Sequence, residues 1–468
     1  MKRRDVIRLF PLSIAGIAGM SQNVFAGKMP LKKQYSSRQK PLAIQYSKKV
    51  RERLTWIREN QTENLMEAAY MIARTVQNGG QCYQSSWDAG HTESDSWPGR
   101  NGEPEIFSTG FNITNAKEGD LLLASSQMVY NEEIRKKKIF LIACPSPWSG
   151  DAKYAELLRD DVKKLTLKPY ADIWIENNAT TLGGIINVPG MPAPIGPVSG
   201  VVGKVTIWMM LADACRILAK RGISCPVKGD EPEVTGEKVD WKSFSGWVNV
   251  HDPLMDNYFK EVIKQIELIS SELGTIRKIA KMAVDTVLDG GQIYGYSLYS
   301  SVAGEASTRR SGLSITRGIY GSSLNTKEKR KKFGGTSKDC VIMGITKPDD
   351  ETDLMFLDLF KKRGMKTASL GPMTRSIQVP EGRTVPKETD FHAGRMCDTY
   401  GLFAIPGFNQ RVCPTSGVVL DQLFWATMME VVEQYRERTG GNVPGVYFSA
   451  ALKGGMEHMY RMHEVYSK

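Results

Sequence analysis

Gly196-Pro197-Val198-Ser199-Gly200-Val201-Val202, followed by a long apolar-periodic segment to Lys220, returns as Cys413-Pro414-Thr415-Ser416-Gly417-Val418-Val419, followed by another such segment to Arg438. The spacing is 217 residues (416 minus 199). Upstream, an amphipathic pattern (Leu65, Ala68, Ala69, Ile72, Ala73, Val76) runs into Gly79-Gly80-Gln81-Cys82-Tyr83. Its counterpart (Ile276, Ile279, Ala280, Ala283, Val284, Val287) runs into Gly290-Gly291-Gln292-Ile293-Tyr294, at a spacing of 211 (290 minus 79). Two anchors in one order with near-equal offsets predict a tandem repeat of one unit. The 468 residues also suit two domains of roughly 100 to 200 residues each.

Between these anchors, helical patterns alternate with short apolar runs. The runs are Gln81–Ser86, Asp120–Ser125, Lys138–Cys144 and Asp172–Glu176 in the first copy. In the second they are Gln292–Tyr296, Asp339–Ile345, Thr367–Leu370 and Thr399–Ile405. Runs this short between helices read as buried parallel strands joined by helical crossovers. The expected fold is α/β, with two tandem doubly wound parallel-sheet sandwiches of the flavodoxin-like three-layer αβα kind. Such sheets bind ligands at the carboxyl ends of their strands. That points to Ser85, Ser86, Ser125, Ser126, Ser297, Ser300, Ser301 and Thr346 as substrate-binding candidates.

Composition agrees with a folded protein: 41% hydrophobic and 24% charged residues exclude the disordered and fibrous classes. Met1 to Ala26 has a basic start, an apolar stretch from Leu9 to Met20 and a small-residue end at Val24-Phe25-Ala26, the three-part pattern of a signal peptide. Arg3-Arg4-Asp5-Val6-Ile7-Arg8 resembles the twin-arginine export signal, and a plain secretory signal is the alternative. The expected organisation is a signal peptide at 1–26, a basic lead-in at 27–45, and two repeat domains at 46–245 and 246–468. Export, to the periplasm or otherwise outside the cytoplasm, follows, with no stable membrane insertion once the signal is removed. Much of the formal charge of +11 sits in this N-terminal region, so nucleic acid is not an expected partner. The later run Lys327, Lys329, Arg330, Lys331, Lys332 reads as a solvated loop. Seven cysteines without C-x-x-C spacing, and no His/Asp/Glu cluster with ligand spacing, predict neither a metal nor a cofactor.

The order of these elements resembles a branch of the sugar isomerase (SIS) domain family. There a helix leads to a Gly-Gly turn and a strand, then a polar turn ending in Gly-His, a helix with an acidic residue, and a strand introduced by Gly-Asp. The first copy has Gly79-Gly80, Gly90-His91 and Gly119-Asp120-Leu121-Leu122; the second has Gly290-Gly291, Glu305 and Arg309-Arg310-Ser311-Gly312-Leu313. The closing segment Pro444-Gly445-Val446-Tyr447-Phe448-Ser449 to Gly454-Gly455, then Glu457-His458, is similar too. The resemblance covers about Ile44 to Lys468 and implies binding of sugar phosphates or related carbohydrate derivatives. The family's phosphate loop, Ser-x-Ser-Gly, is not kept: the positions read Ser125-Ser126-Gln127 and Ile345-Thr346-Lys347-Pro348. A derivative without a phosphate, or with another anionic group, is therefore the expected ligand.

Aldose–ketose isomerisation needs a carboxylate that moves a proton between adjacent carbons and a histidine that opens the ring. The candidates are His91 and Glu93 in the first copy and Glu305 and His392 in the second, expected to meet in one composite site across the repeat interface of a pseudo-dimer. A homodimer of the chain stays open. Ser199 and Ser416, each just ahead of a helix, join the substrate-binding candidates, with helix capping as the competing role. Trp87, Trp97, Tyr296 and Tyr299 read as packing groups. Two functions remain: an isomerase working through an enediol, and a non-catalytic sugar-binding or sensing module with altered sites.

Overall fold

The structure is a computed structural model. It describes residues 40–84, 102–108, 111–124, 131–144, 159–160, 171–179, 183–229, 249–307, 309, 311–374, 380–395, 397, 400–448 and 452–466.

Each half opens with two helices. In the first they are α1 (Leu42–Asn60) and α2 (Thr62–Gln77). The strands of the first sheet follow as β1 (Cys82–Gln84), β2 (Phe107–Ser108), β3 (Leu121–Ala124), β4 (Phe140–Ala143) and β5 (Ile173–Trp174). A hairpin of β6 (Gly184–Ile186) and β7 (Ile195–Pro197) leads into α3 (Ser199–Lys220). The second half repeats this with α4 (Met255–Leu268), α5 (Leu273–Leu288), β8 (Ile293–Ser297), the short α6 (Val302–Glu305) and β9 (Thr316–Tyr320). It continues through β10 (Cys340–Gly344), α7 (Glu351–Lys362), β11 (Lys366–Leu370), β12 (Phe391–Ala393), the hairpin β13 (Gly401–Phe403) with β14 (Val412–Pro414), and α8 (Ser416–Arg438).

The two five-stranded sheets share one order, β2-β1-β3-β4-β5 and β9-β8-β10-β11-β12, and every pairing within them is parallel. Alternating side chains along each strand enter different cores, as a sheet covered on both faces requires. Cys340 and Ile342 face the large central core, while Val341 and Met343 pack with Phe356, Leu357 and Phe360 of α7. In the first sheet Leu121 and Leu123 face the central core, and Leu122 packs with Leu141 and Ala143 on the other side. The expected pair of doubly wound α/β sandwiches is what the chain forms.

The same bonds recur in both halves. Asp120 accepts from the Gln81 and Lys117 amides, and Asp339 accepts from the Gln292 and Thr336 amides, tying each first strand to the turn before the next. Tyr46 donates its hydroxyl to the Pro197 carbonyl at 2.7 Å, and Tyr258 donates to the Pro414 carbonyl at 3.1 Å. A side chain at Gly80 would stand 2.8 Å from the Gly119 carbonyl, and one at Gly291 would collide with the Lys338 carbonyl, so both turns need glycine for close backbone approach.

Residues Lys40–Lys468 form one compact unit, because the halves exchange their leading helices. The first half's α1 packs on α8, while the second half's α4 packs on α3; α2 and α5 stay with α3 and α8 of their own halves. Asp213 of α3 accepts from the Leu254 and Met255 amides at the start of α4, and Glu430 of α8 accepts from the Ala43 amide at the start of α1. These carboxylates satisfy amides that a helix start leaves open.

Three expectations need correction. Thr399–Ile405 does not continue a parallel sheet: Gly401–Phe403 pairs antiparallel with Val412–Pro414 in its own hairpin. The equivalent β6–β7 hairpin and the edge strands β2, β9 and β12 were not foreseen, since runs of two or three residues carry little periodicity. The basic run at Lys327–Lys332 is a short helix with no buried residue, capped by Thr326, rather than a loop. Ser199 and Ser416 are first helical residues; the capping positions are Val198 and Thr415, and neither makes a side-chain cap bond.

Candidate functional site

Two long helices, α3 and α8, run through the middle of the molecule and are almost wholly buried. Besides Asp213 and Glu430, which hold the starts of α4 and α1, each carries one further buried charge near its own start, Lys204 on α3 and Asp421 on α8. Lys204 Nζ lies 2.7 Å from Asp421 Oδ2, and both side chains are 1% exposed. Ser301, next to α6, joins them: its hydroxyl accepts from Lys204 Nζ and donates to Asp421 Oδ1. Four residues on, Glu305 closes α6 with its carboxylate 2% exposed.

Glu305 Oε2 receives the indole N–H of Trp425 at 2.6 Å and lies 2.6 Å from Arg309 Nε. Arg309 in turn donates from Nη2 to Ser199 Oγ at 3.1 Å, linking the second half's carboxyl edge to the start of α3. Gly200 lets the start of α3 lie close against Glu305. A Cβ there would sit 2.8 Å from Glu305 Oε1, 3.2 Å from Arg309 Nη2 and 3.3 Å from Asp421 Oδ2. Burial pushes the Glu305 carboxyl up to about 7, and Asp421 reinforces this, against the opposing pull of Arg309, Lys204 and the Trp425 N–H. A carboxyl that changes protonation near neutrality is suited to proton transfer.

The serines after β8 serve the loop itself. Ser297 Oγ donates to the Ser300 carbonyl at 2.6 Å and accepts from the Ala303 amide at 3.0 Å. Ser300 Oγ donates to the Gly344 carbonyl at 3.2 Å. Thr346, just past β10, keeps a buried Oγ1 without a hydrogen-bond partner among the described residues. Tyr296 is a packing residue, 0% exposed against Phe356 and Phe360, with its hydroxyl donating to Asp353. Tyr299 lies under the Lys347 ammonium, 5.6 Å from its ring centre.

His392 sits on β12. Its Nδ1 is 2.9 Å from Ser369 Oγ, its Nε2 is buried without a hydrogen-bond partner among the described residues, and burial with the nearby Arg395 charge pushes it down to about 4. The sheet order puts β12 three strands from β8, the strand that leads into α6, and no hydrogen bond or ion pair joins His392 to Glu305 among the described residues. Ser199, Ser301 and Glu305 do come together, around the α3–α8 contact. Ser416 is buried at the start of α8. Ser85, Ser86, His91, Glu93, Ser125, Ser126, Trp87 and Trp97 lie outside the described residues.

Sequence reasoning missed Lys204, Asp421 and Trp425. The available signal was a charge within the first two turns of each of two apolar helices, at positions 217 apart (421 minus 204). Among the described residues no three His, Cys, Asp or Glu side chains are grouped as a metal site, and no helix is long and apolar enough to cross a membrane. A separate groove of about 520 Å³ between α2 and α3, lined by Met66, Tyr70, Arg216, Lys220 and Arg221 among others, contains none of the predicted residues.

No family model matches the chain. A UPF0309 protein from Geobacillus thermodenitrificans (strain NG80-2) is 24% identical over 214 residues, covering 39% of this chain and 86% of that protein. Among solved structures, the C-terminal domain of glucosamine-fructose-6-phosphate aminotransferase from Francisella tularensis is 10% identical. It covers 88% of this chain and all of its own, with a TM-score of 0.47.

Proposed function

We propose that the chain binds a sugar derivative at the carboxyl edge of its second sheet, against the α3–α8 contact, and isomerises it between aldose and ketose through an enediol. The observation that carries this reading is Glu305: a buried carboxyl held near neutrality, ringed by Arg309, Ser199 and the bare Cα of Gly200. In the ionised form it takes the proton alpha to the carbonyl, and in the protonated form it returns that proton to the adjacent carbon, so no electrons leave the sugar. Arg309 and Ser199 supply polar contacts for the substrate's oxygens. His91 and Glu93 belong to the same proposal as ring-opening and first-copy acid–base groups.

Incubation with a panel of plain and phosphorylated sugars in deuterated water tests it. Enediol chemistry exchanges the alpha proton for deuterium, and E305Q should abolish exchange while leaving binding within a few-fold. A panel that binds without exchanging in the wild type overturns the catalytic part. One observation favours that second reading, a non-catalytic sugar-binding module: Glu305 Oε2 is already engaged by Trp425 and Arg309.

The repeated bonds of the two halves support descent from one duplicated unit, with repeats at 46–245 and 246–468; a signal peptide at 1–26 and a lead-in at 27–45 belong to the same proposal. Export is part of the proposal. A mature protein beginning at Gly27 in the periplasmic fraction is its expected signature.

A further inference from the structure

We infer that Lys204 and Asp421 form a pairing code: they seat α3 of the first half against α8 of the second and reject contact between two like halves. Position 421 follows 204 by 217 residues, the spacing that also relates Ser199 to Ser416, Pro197 to Pro414 and Gly184 to Gly401. The two residues are therefore equivalents, and yet they touch each other, Nζ to Oδ2, at 2.7 Å. A position that meets its own equivalent lies on the local twofold axis relating the halves. On such an axis two identical units set like against like.

Two copies of the first half would bring lysine to lysine in a site 1% exposed, and two copies of the second would bring aspartate to aspartate. A buried charge without its partner is strongly destabilising, whereas the mixed pair is neutral. Stability alone does not explain the pair, because a buried ion pair roughly breaks even with apolar residues of similar volume. Most neighbouring positions on the same helices, Val201, Val202 and Val205 on α3 and Val418, Val419 and Leu420 on α8, are apolar and buried, with Gln422 the buried polar exception beside Asp421. Ser301 adds direction, since its hydroxyl bridges the ammonium and the second carboxylate oxygen. The partner that fits this surface is the complementary half, and the partner it excludes is a second copy of the same half.

The test uses the full chain. K204D and D421K should each cut refolding yield about tenfold or more, through buried like charges. The exchange variant K204D/D421K should recover more than half of that loss in yield and in urea midpoint. Where the single variants do not fold, the apolar variant K204M/D421L decides. It should keep the wild-type midpoint to within a small shift, yet refold into a mixture with a larger share of multi-chain species by light scattering. An exchange variant no better than the worse single variant, or an apolar variant that assembles as faithfully as wild type, overturns the code.

Discussion

Replacing Glu305 by glutamine gives the sharpest test of how the buried cluster is charged. The carboxyl ordinarily titrates at 4.5 and is held at about 7 in the fold, chiefly by burial. Folding thus favours its protonated form. Relative to a side chain that does not titrate, its contribution to stability is fully present below about pH 4.5 and is lost as pH rises through about 7. The gap corresponds to about 3 kcal/mol at 1.36 kcal/mol per tenfold change. Glutamine keeps the shape and can still accept from Trp425, but it does not titrate. The stability of wild type minus that of E305Q should therefore fall by about 3 kcal/mol between pH 4.5 and 8. Paired urea unfolding curves at half-unit pH steps measure it. A flat difference, or one that grows as pH rises, refutes the assignment, because the carboxylate would then be as well solvated or paired inside as in water.

Three further outcomes are expected. G200A places a methyl group against Glu305 Oε1 and should cost about 1 to 3 kcal/mol of stability, while weakening sugar binding in calorimetric titration. Y46F and Y258F each remove one hydroxyl bond to a proline carbonyl and should each cost about 1 kcal/mol in thermal or urea unfolding; a large inequality would argue against equivalent roles. His392, pushed down to about 4, contributes stability that is lost as pH falls from 6.5 through about 4, so H392N should flatten the acid limb of the unfolding curve there.

The repeat was readable because Ser199-Gly200-Val201-Val202 and Ser416-Gly417-Val418-Val419 stand in identical words at the starts of two helices. The inner strands were readable because continuous apolar runs such as Leu121–Ala124 and Cys340–Gly344 are buried on both faces. Edge strands such as Phe107–Ser108 and the Ile195–Pro197 hairpin arm are too short to show a period, and their pairing is set by distant residues. Glu305 was singled out because small residues surround it on a helix after a strand. The charges that tune it were not, since Lys204 and Asp421 belong to helices whose meeting depends on the tertiary arrangement. His392 was a candidate by its residue type, and the sheet order sets it on the edge strand β12.

The exchange of α1 and α4 between halves bears on how a ligand would get in and out. Each sandwich is clad by a helix rooted in the other, and the carboxylates of Asp213 and Glu430 fasten the starts of those helices. Hinge bending between the sandwiches would have to peel both helices from apolar surfaces at once. A ligand reaching Glu305 would therefore depend on local segments at the carboxyl edge of the second sheet, with the two-sandwich scaffold behind them held fixed.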